Sequence, residues 1–219
     1  MFPDEVVAGV RRGDPDAVGA VYVVLADRLL GYLMARVRHR QVAEDLLEAT
    51  FVELLSKGHT IRGDGPAIKV WLFRSAYFNA MDHLRRAKRR GEQLTDSPEQ
   101  YDVEDPAPTP EQEAVSADVR RRVQTAMTQL SEDQRSVLLL RYQADLSAPE
   151  VAAVLGKSDG AVRSLQHRGE RALAKLLEEM RPETVAAAEA AAEAEESQPR
   201  EAPPRQASAP IRPPRASEG

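Results

Sequence analysis

Side chains that commonly contact nucleic acids are concentrated in one short stretch in the last third of the chain. This stretch contributes Lys157, Ser158, Arg163, Ser164, Gln166, His167, Arg168 and Arg171. A guanidinium can fork to guanine and a side-chain amide to adenine, whereas serine and histidine contact phosphates or base edges. We therefore interpret the stretch as a DNA-contacting surface, with Arg163 and Gln166 as the first candidates for base contact. For any one of these residues the alternative is a surface salt bridge or a phosphate contact alone.

A second basic segment, LRRAKRR, covers Leu84 to Arg90, and five of its seven residues are lysine or arginine. Basic and aromatic residues are interleaved upstream of it, namely Lys69, Trp71, Phe73, Arg74, Tyr77, Phe78 and His83. Cations bind phosphate and aromatic rings stack on unpaired bases, so this pattern also indicates a nucleic-acid surface. The alternative for the cations is a solvated helix end that complements the helix dipole. For Trp71 the alternative is a place in the core.

Three short helices are predicted to position the first stretch. Two pairs have the spacing of capping boxes: Ser131 with Gln134, and Ser147 with Glu150. Capping boxes begin helices because they satisfy backbone N–H groups that have no partner in the first turn. A tight turn at Gly156 follows, and Ser158 can cap a third helix whose buried side is marked by Val162, Leu165, Leu173 and Leu176. The order helix, turn, basic helix is that of the helix-turn-helix DNA-binding motif.

The second stretch belongs to a helical N-terminal segment. Apolar residues at three-and-four spacing predict helices from Asp14-Pro15 to about His39, over about Gln41–Lys57 and over about Ala67–Arg90. Glycines and a proline between Gly58 and Pro66 predict a loop. The expected core residues are Val18, Val21, Tyr22, Leu25, Leu29, Tyr32, Leu33 and Val37 in the first helix, Val42, Leu46, Ala49, Phe51, Leu54 and Leu55 in the second, and Val70, Trp71, Phe73, Ala76, Met81 and Leu84 in the third.

Composition divides the chain into four parts. Residues 1–90 form the N-terminal helical domain and residues 119–180 the helix-turn-helix domain. Residues 91–118 contain nine acidic side chains and no lysine or arginine, which predicts an acidic, extended, flexible linker whose prolines, including Pro110, break any helix. Residues 181–219 lack an apolar stripe, so we expect a disordered tail. The expected fold class is all-α, with two small helical domains joined by the linker.

The bulk composition excludes several classes of protein. The 219 residues include no cysteine, which excludes disulfides, thiol catalysis and cysteine-ligated zinc. The four histidines do not have metal-ligand spacing. No nucleophile–base pair, phosphate-binding glycine loop or carboxylate dyad is apparent, so we expect no enzyme activity, metal or cofactor. Because no signal pattern and no apolar run of about 18 residues is found, we expect a cytoplasmic protein without membrane insertion.

Three stretches, taken in order, resemble the extracytoplasmic-function (ECF) type of RNA polymerase sigma factor of the sigma-70 family. Residues 43–55, AEDLLEATFVELL, resemble the core-polymerase-binding helix of that family. Residues 70–90, VWLFRSAYFNAMDHLRRAKRR, resemble its −10-reading helix in region 2. Residues 130–168, LSEDQRSVLLLRYQADLSAPEVAAVLGKSDGAVRSLQHR, are similar to its −35-reading helix-turn-helix in region 4. The likeness covers about residues 10–178.

The resemblance implies a function and a set of site residues. The chain would bind the β and β′ subunits of bacterial core RNA polymerase, direct promoter-specific initiation and help to open the −10 DNA. The core-polymerase-binding residues would be Glu44, Asp45, Glu48 and Phe51, although on spacing alone the three acids form an ordinary polar helix face. The −10 residues would be Arg62, Lys69, Trp71, Arg74, Asn79, His83, Arg85, Arg86 and Arg89, and the −35 residues those of the Lys157–Arg171 stretch. An anti-sigma factor is a candidate further partner, and in the holoenzyme the protein would be associated with the nucleoid.

One position departs from the family pattern. Where the family usually has an Arg-Asn pair, this chain has Tyr77-Phe78, and Asn79 falls one residue later. We therefore expect the capture of promoter DNA to differ at this point. The alternative function is a helix-turn-helix repressor or activator that binds duplex DNA without polymerase. That function accounts for residues 119–180, but it leaves the aromatic and basic N-terminal helix unexplained, and no dimerisation stripe is apparent.

Overall fold

Helices form the secondary structure of the described residues, and no strand occurs among them. The computed structural model describes residues 2–90 and 110–181, with side chains described in 2–90 and 118–181. The helices are α1 (Asp4–Arg12), α2 (Pro15–Val37), α3 (Arg40–Lys57), α4 (Gly65–Arg90), α5 (Pro110–Gln129), α6 (Glu132–Leu138), α7 (Ala148–Leu155) and α8 (Asp159–Glu179), with a 3-10 turn at Gly58–Thr60 and a π-helical turn at Leu139–Gln143. The all-α prediction is confirmed. The predicted tail and most of the predicted linker lie outside the described residues.

Local signals set the helix ends in the N-terminal domain. Asp14 caps α2 by accepting a hydrogen bond from the backbone N–H of Asp16 at 3.0 Å, and Pro15 takes the first helical position. Gly58 lies against the backbone of Val10 so closely that a Cβ atom would overlap the Val10 carbonyl oxygen. The end of α3 can therefore approach α1 only because residue 58 has no side chain.

The core of the N-terminal domain lies between α2, α3 and α4. The rings of Tyr32 on α2 and Phe73 on α4 meet edge to face, with 5.7 Å between their centroids. Leu29, Leu54 and Leu72 are completely buried around this pair. Full burial of each such side chain contributes roughly 1.5–3 kcal/mol, so this layer fixes α4 relative to the other two helices.

Some of the predicted core residues lie at the surface. Tyr22 and Leu55 are 47% and 40% exposed, and Ala49 is exposed as well, so the prediction that these three are buried is wrong. The inward side of α3 is formed instead by Ala43, Leu47, Thr50, Phe51 and Leu54. Phe51 is covered by the ring of Tyr22, whose centroid is 4.8 Å away. The apolar residues of α3 are more numerous than its buried side can hold, and the excess faces outward.

The helix-turn-helix domain begins its helices as predicted. Ser131 and Ser147 each form a complete capping box, with Gln134 and Glu150 respectively. The hydroxyl of Ser158 accepts a hydrogen bond from the N–H of Ala161 at 3.3 Å and caps α8. These three caps fix where α6, α7 and α8 begin.

Helix α5 begins earlier than the composition predicts. Its first residue is Pro110, so this proline begins a helix inside the predicted linker and does not break one. Proline is accepted in the first helical turn because its fixed φ suits the helix and its missing N–H would have no partner there. Further along, the guanidinium of Arg135 donates to the carbonyls of Met127, Thr128 and Leu130, which ties the end of α5 to α6.

Helix α2 is long and apolar enough to cross a membrane by length and composition alone, with a mean hydropathy of 1.5 over an 18-residue window. The residues that raise this value include Leu25, Leu29 and Leu33, which are at most 5% exposed in the core. A helix packed against α1, α3 and α4 accounts for this composition. On its remaining side α2 contacts the π-helical turn, while α4 contacts α7, so both helical domains belong to one compact unit, Met1–Met180.

Candidate nucleic-acid interface

One side of α4 presents aromatic and charged side chains to solvent. Residues three or four apart on a helix share a side, which places Trp71, Arg74, Phe78, Asp82, Arg85 and Arg89 in one row, here called the α4 stripe. Trp71 is half-buried. Phe78 is 49% exposed, and the three arginines are exposed. The stripe therefore combines cations with accessible aromatic rings, as a surface for unpaired nucleotides requires.

Contacts within the α4 stripe orient its side chains. The guanidinium carbon of Arg74 lies 5.8 Å from the centroid of the Phe78 ring, a cation–π contact. The carboxylate of Asp82 pairs with Arg85 at 3.4 Å and with Arg86 at 4.0 Å. These exposed pairs contribute little to stability. They hold one guanidinium within the stripe (Arg85) and one beside it (Arg86), where phosphates could replace the carboxylate.

Several residues predicted to read the −10 DNA lie away from the α4 stripe. The amide of Asn79 donates to the Thr50 hydroxyl at 3.4 Å, between α4 and α3. The ammonium of Lys69 donates to the carbonyl of Asp145 at 2.7 Å. Arg62 lies in the loop before α4 and donates to the His59 carbonyl at 3.1 Å. His83 and Arg86 flank the stripe.

Phe78 is a candidate site residue that the sequence prediction left out of its site set. It occupies the position where the resembled family usually has asparagine, which makes its ring a departure from the family pattern. The spacing of Phe78 in the sequence indicates its place on this surface. It lies four residues after Arg74 and seven after Trp71, so it must share their side of the helix. Phe73, five residues earlier, is fully buried.

The exposed face of α8 is basic. It consists of Arg163, Ser164, His167, Arg168 and Arg171, here called the α8 face, and all five are exposed. Val162 and Gly169 are buried on the opposite side. Arg168 also donates to the Ser164 carbonyl at 3.3 Å. The second helix of a helix-turn-helix enters the major groove with such a face, so these five predicted residues are brought together.

Three other residues of the predicted −35 set have structural partners. Ser158 caps α8, and Lys157 pairs with Asp133 of α6 at 2.9 Å. Gln166 is half-buried, accepts from Arg141 at 3.1 Å and donates to Glu170 at 2.8 Å. The geometry therefore turns Gln166 toward the π-helical turn and away from the α8 face.

A hydrogen-bonded network holds α8 against the π-helical turn. The Tyr142 hydroxyl donates to Glu170 and accepts from Gln166 at 3.3 Å. The hydrogen bonds from Tyr142 and then Gln166 lower the pKa of Glu170, and the bond to Glu170 raises the pKa of Tyr142. Glu170 is therefore ionised at neutral pH and ties α8 to the π-helical turn.

The outer side of α3 combines acidic and apolar residues. Glu44, Asp45, Glu48, Val52 and Leu55 lie on it, here called the α3 face. Glu44 accepts from Arg40 at 2.9 Å and Asp45 accepts from Gln41 at 3.2 Å. Val52 is 59% exposed, and both it and Leu55 were absent from the predicted site. Phe51, which was predicted there, is only 7% exposed beneath Tyr22.

In residues 2–90 and 110–181, no cluster of three or more histidine or acidic side chains has the arrangement of a metal site.

Family comparison finds two matches, one in the N-terminal helical domain and one in the helix-turn-helix domain. Residues 21–90 match "Sigma-70 region 2" and residues 120–182 match "Sigma-70, region 4". The first range contains the α3 face and the α4 stripe. The second range contains the α8 face.

Relatives with similar sequences include several sigma factors. The ECF RNA polymerase sigma factor SigX of Bacillus subtilis is 31% identical over 71% of this chain and 80% of its own length. The RNA polymerase sigma factor CarQ of Myxococcus xanthus is 32% identical over 78% and 94%. The ECF RNA polymerase sigma factor BldN of Streptomyces coelicolor is 31% identical over 79% of this chain, which spans 65% of BldN.

Solved structures share the fold. CnrH, in complex with the cytosolic domain of CnrY, superposes with a TM-score of 0.59 and 24% identity over 79% of this chain and 95% of CnrH. RpoE of Bartonella quintana, in complex with the anti-sigma factor NepR, gives a TM-score of 0.59 and 19% identity over 73% and 96%. At these identities the likeness concerns the fold.

Proposed function

The chain belongs to the sigma-70 family of RNA polymerase sigma factors, to its extracytoplasmic-function type, and on that premise we propose which surface performs each part of promoter-specific initiation. Such factors bind core RNA polymerase and promoter DNA, act in the cell interior and are not known to be catalytic. The α4 stripe binds the −10 element, the α8 face binds the −35 element, and the α3 face binds the polymerase. The observation that carries this assignment is the pair of basic faces on α4 and α8, one in each matched region.

The α4 stripe suits DNA that has lost its base pairing. Removing a base from the stack requires roughly a few kcal/mol, and stacking on an aromatic side chain returns about 1–3 kcal/mol per base. Trp71 and Phe78 offer rings for this purpose, while Arg74, Arg85 and Arg89 offer cations for the backbone. We propose that Asn79, which is held against Thr50, supports the packing of α4 rather than contacting a base.

The α8 face suits intact duplex. Its three arginines and His167 lie on one side of a helix whose start is capped, so the side chains are presented along a single major groove. Arg163 is the first candidate for base contact because it is exposed in the first turns of α8. Gln166 is assigned a positioning role, since its amide is already engaged by Arg141 and Glu170.

The α3 face is assigned to the polymerase because it pairs acids with exposed apolar side chains. An apolar centre with charges at its rim is typical of protein–protein interfaces. The partner subunits proposed are β and β′. An anti-sigma factor is proposed as a further partner, supported by the CnrH–CnrY and RpoE–NepR complexes. We also propose that the protein stays in the cytoplasm, without membrane insertion, and joins the nucleoid within the holoenzyme.

Reconstitution with sigma-free core RNA polymerase tests the proposal. We expect co-elution with core and discrete transcripts from promoter fragments. Arg163→Ala should leave co-elution unchanged and relax the dependence of the transcripts on the −35 sequence, whereas Val52→Asp should weaken co-elution and reduce the transcripts. Arg12→Ala and Arg121→Ala, which remove exposed arginines elsewhere, are the charge-matched controls and should leave both readouts unchanged. Absence of co-elution and of transcripts with the unaltered chain would contradict the proposal.

A further inference from the structure

The loop that precedes α4, residues 61–64 (here called the 61–64 loop), is held by an arginine of α1. Its first residue, Ile61, is 3% exposed, and the three residues after it are exposed. The guanidinium of Arg11 donates through Nε to the Ile61 carbonyl at 3.2 Å and through Nη2 to the Gly63 carbonyl. One side chain therefore bridges the two backbone carbonyls on either side of Arg62.

Helix α1 gives Arg11 a firmly packed backbone. Gly9 lies so close to Ala17 of α2 that a Cβ atom on residue 9 would overlap the Ala17 Cβ atom. Val10 is completely buried, and its carbonyl lies against Gly58 in the 3-10 turn. The two residues before Arg11 are thus packed against α2 and against the turn that leads into the loop. The guanidinium is therefore presented to the 61–64 loop from a backbone that is fixed on two sides.

The middle of the 61–64 loop is the part that most needs an outside restraint. Backbone hydrogen bonds hold its two ends, where Ile61 donates to Gly58 at 3.0 Å and Ala67 donates to Asp64 at 2.9 Å. Gly63 lies between these ends and has a φ of 103°, which glycine adopts readily but which is unfavourable for residues with a side chain. Because glycine has several accessible conformations, the bond from Arg11 to the Gly63 carbonyl selects one of them.

The 61–64 loop leads directly into the α4 stripe. Helix α4 begins at Gly65, immediately after the loop. Trp71 follows six residues later, which is about 9 Å along the helix at 1.5 Å per residue. Arg62, which is exposed in the loop, is one of the residues that the resemblance assigns to the −10 DNA. Loops held by a rigid scaffold commonly carry binding residues, so the position of this loop decides whether Arg62 reaches DNA that lies on Trp71.

Two simpler roles for Arg11 lead to different expectations. A cation in the last turn of a helix complements the helix dipole, and Arg12, which is exposed in the same turn, has that role equally. A cation that only attracts phosphate can be replaced by lysine. Lysine lacks the planar fork of donors with which a guanidinium spans two acceptors, so it cannot replace Arg11 in the bridge between the two carbonyls.

We propose that Arg11 is a positioning residue for the reading of the −10 element. By bridging the carbonyls of Ile61 and Gly63 it fixes the 61–64 loop beside the α4 stripe, and it thereby presents Arg62 to the unpaired DNA. The match to region 2 begins at residue 21, so this role belongs to a helix that precedes the matched range. The proposal rests on the proposed function for the identity of the ligand, but not for the ordering of the loop.

Spin labelling of the full chain tests the ordering of the loop. Because the chain has no cysteine, Asp64→Cys carries a single nitroxide in the 61–64 loop without background labelling. The otherwise unaltered chain and Arg12→Ala should give broad spectra of a restrained label. Arg11→Ala and Arg11→Lys should give sharper spectra, because neither side chain bridges two carbonyls. Thermal unfolding should change little in any of them, since exposed substitutions usually have small effects on stability.

Transcription by the reconstituted holoenzyme tests the role in promoter reading. Promoters that carry each base at each position of the −10 element give the base preference of every variant. Arg11→Ala should lower the yield roughly two- to tenfold, as expected for the loss of about one hydrogen bond. It should flatten the preference at the position that Arg62→Ala also flattens, and leave co-elution and the −35 preference unchanged. Arg11→Lys should behave as Arg11→Ala does, and Arg12→Ala as the unaltered chain does.

The double variant shows whether Arg11 acts through the loop. If it does, adding Arg11→Ala to Arg62→Ala should cause little further loss, because the two substitutions disturb the same contact. Additive losses, or full activity in Arg11→Lys, would overturn the proposal and indicate a separate phosphate contact. Equal spectra in all variants, or an unchanged −10 preference in Arg11→Ala, would also overturn it. A loop that loses order in Arg11→Ala, in a chain that supports no transcription, would leave the ordering of the loop standing and remove the proposed function instead.

Discussion

The guanidinium of Arg74 lies over the ring of Phe78, with 5.8 Å between the guanidinium carbon and the ring centroid. Phe78 is about half exposed at the position where the resembled family usually has asparagine. A cation above an exposed ring keeps the ring in place while leaving its outer side accessible. This pair makes α4 a stacking surface at a point where the resembled family usually has a hydrogen-bonding residue.

Phe78→Ala should therefore impair promoter opening. Loss of one stacking platform corresponds to about 1–3 kcal/mol per base, or a roughly 5- to 150-fold fall in open complex. Permanganate reactivity of thymines in the −10 DNA measures the opening. Phe78→Trp should retain it, because the larger ring still stacks. Equal opening by Phe78→Ala and the unaltered chain would show that the ring has no part in it.

Arg163 and Gln166 should respond differently to substitution. Arg163→Ala removes a guanidinium from the exposed α8 face, and we expect about 1–3 kcal/mol less discrimination between −35 sequences. Gln166→Ala breaks hydrogen bonds to Arg141 and Glu170, and we expect about 1 kcal/mol of lost stability with base preference unchanged. Holoenzyme binding to a set of −35 variants, together with thermal unfolding, separates the two. A changed base preference in Gln166→Ala would contradict its positioning role.

The cap of α7 should contribute measurably to stability. Ser147→Ala removes the hydroxyl that accepts from the Glu150 N–H and leaves backbone donors without a partner, so we expect a loss of about 1 kcal/mol. Calorimetry should show a Tm lower by a few degrees. Ser147→Thr, which keeps the hydroxyl, is the matched control and should stay close to the unaltered protein.

Glu53 should make stability depend on pH. Burial would raise its pKa, but hydrogen bonds from Ser75 and Lys57 outweigh this, and the pKa is lowered. A carboxylate with a lowered pKa in the folded state contributes stability above its ordinary pKa of about 4.3. That contribution is lost as pH falls through the lower folded value. Urea unfolding at about pH 7 and about pH 3 should show a smaller acid-induced loss in Glu53→Gln than in the unaltered chain.

Local features could be predicted from the sequence because they depend on neighbours along the chain. The capping boxes at Ser131 and Ser147 follow from a spacing of three residues, and the α8 face follows from helical periodicity. Tyr22 could not be placed, because α2 carries more apolar residues than its packed side holds. The contact between Arg36 and Glu132 joins residues 96 positions apart, and nothing in either local sequence indicates the other.

The start of α5 at Pro110 illustrates an ambiguity of a different kind. Proline ends a helix when it lies in the interior and begins one when it lies in the first turn. Composition alone therefore cannot decide between a linker that ends at 118 and a helix that begins at 110. The structural choice depends on residues that follow, including Ala126 and Leu130, which are buried.

Mapping transcript start sites tests the central claim that α4 and α8 are the two promoter readers. Genomic DNA fragments would be transcribed by core polymerase with the unaltered chain, with Arg163→Ala and with Phe78→Ala, and the 5′ ends sequenced. We expect starts that share a −10 and a −35 sequence. Arg163→Ala should relax the shared −35 sequence alone, whereas Phe78→Ala should reduce transcripts without changing it. Starts without any shared upstream sequence, or identical starts and yields from all three proteins, would contradict the account.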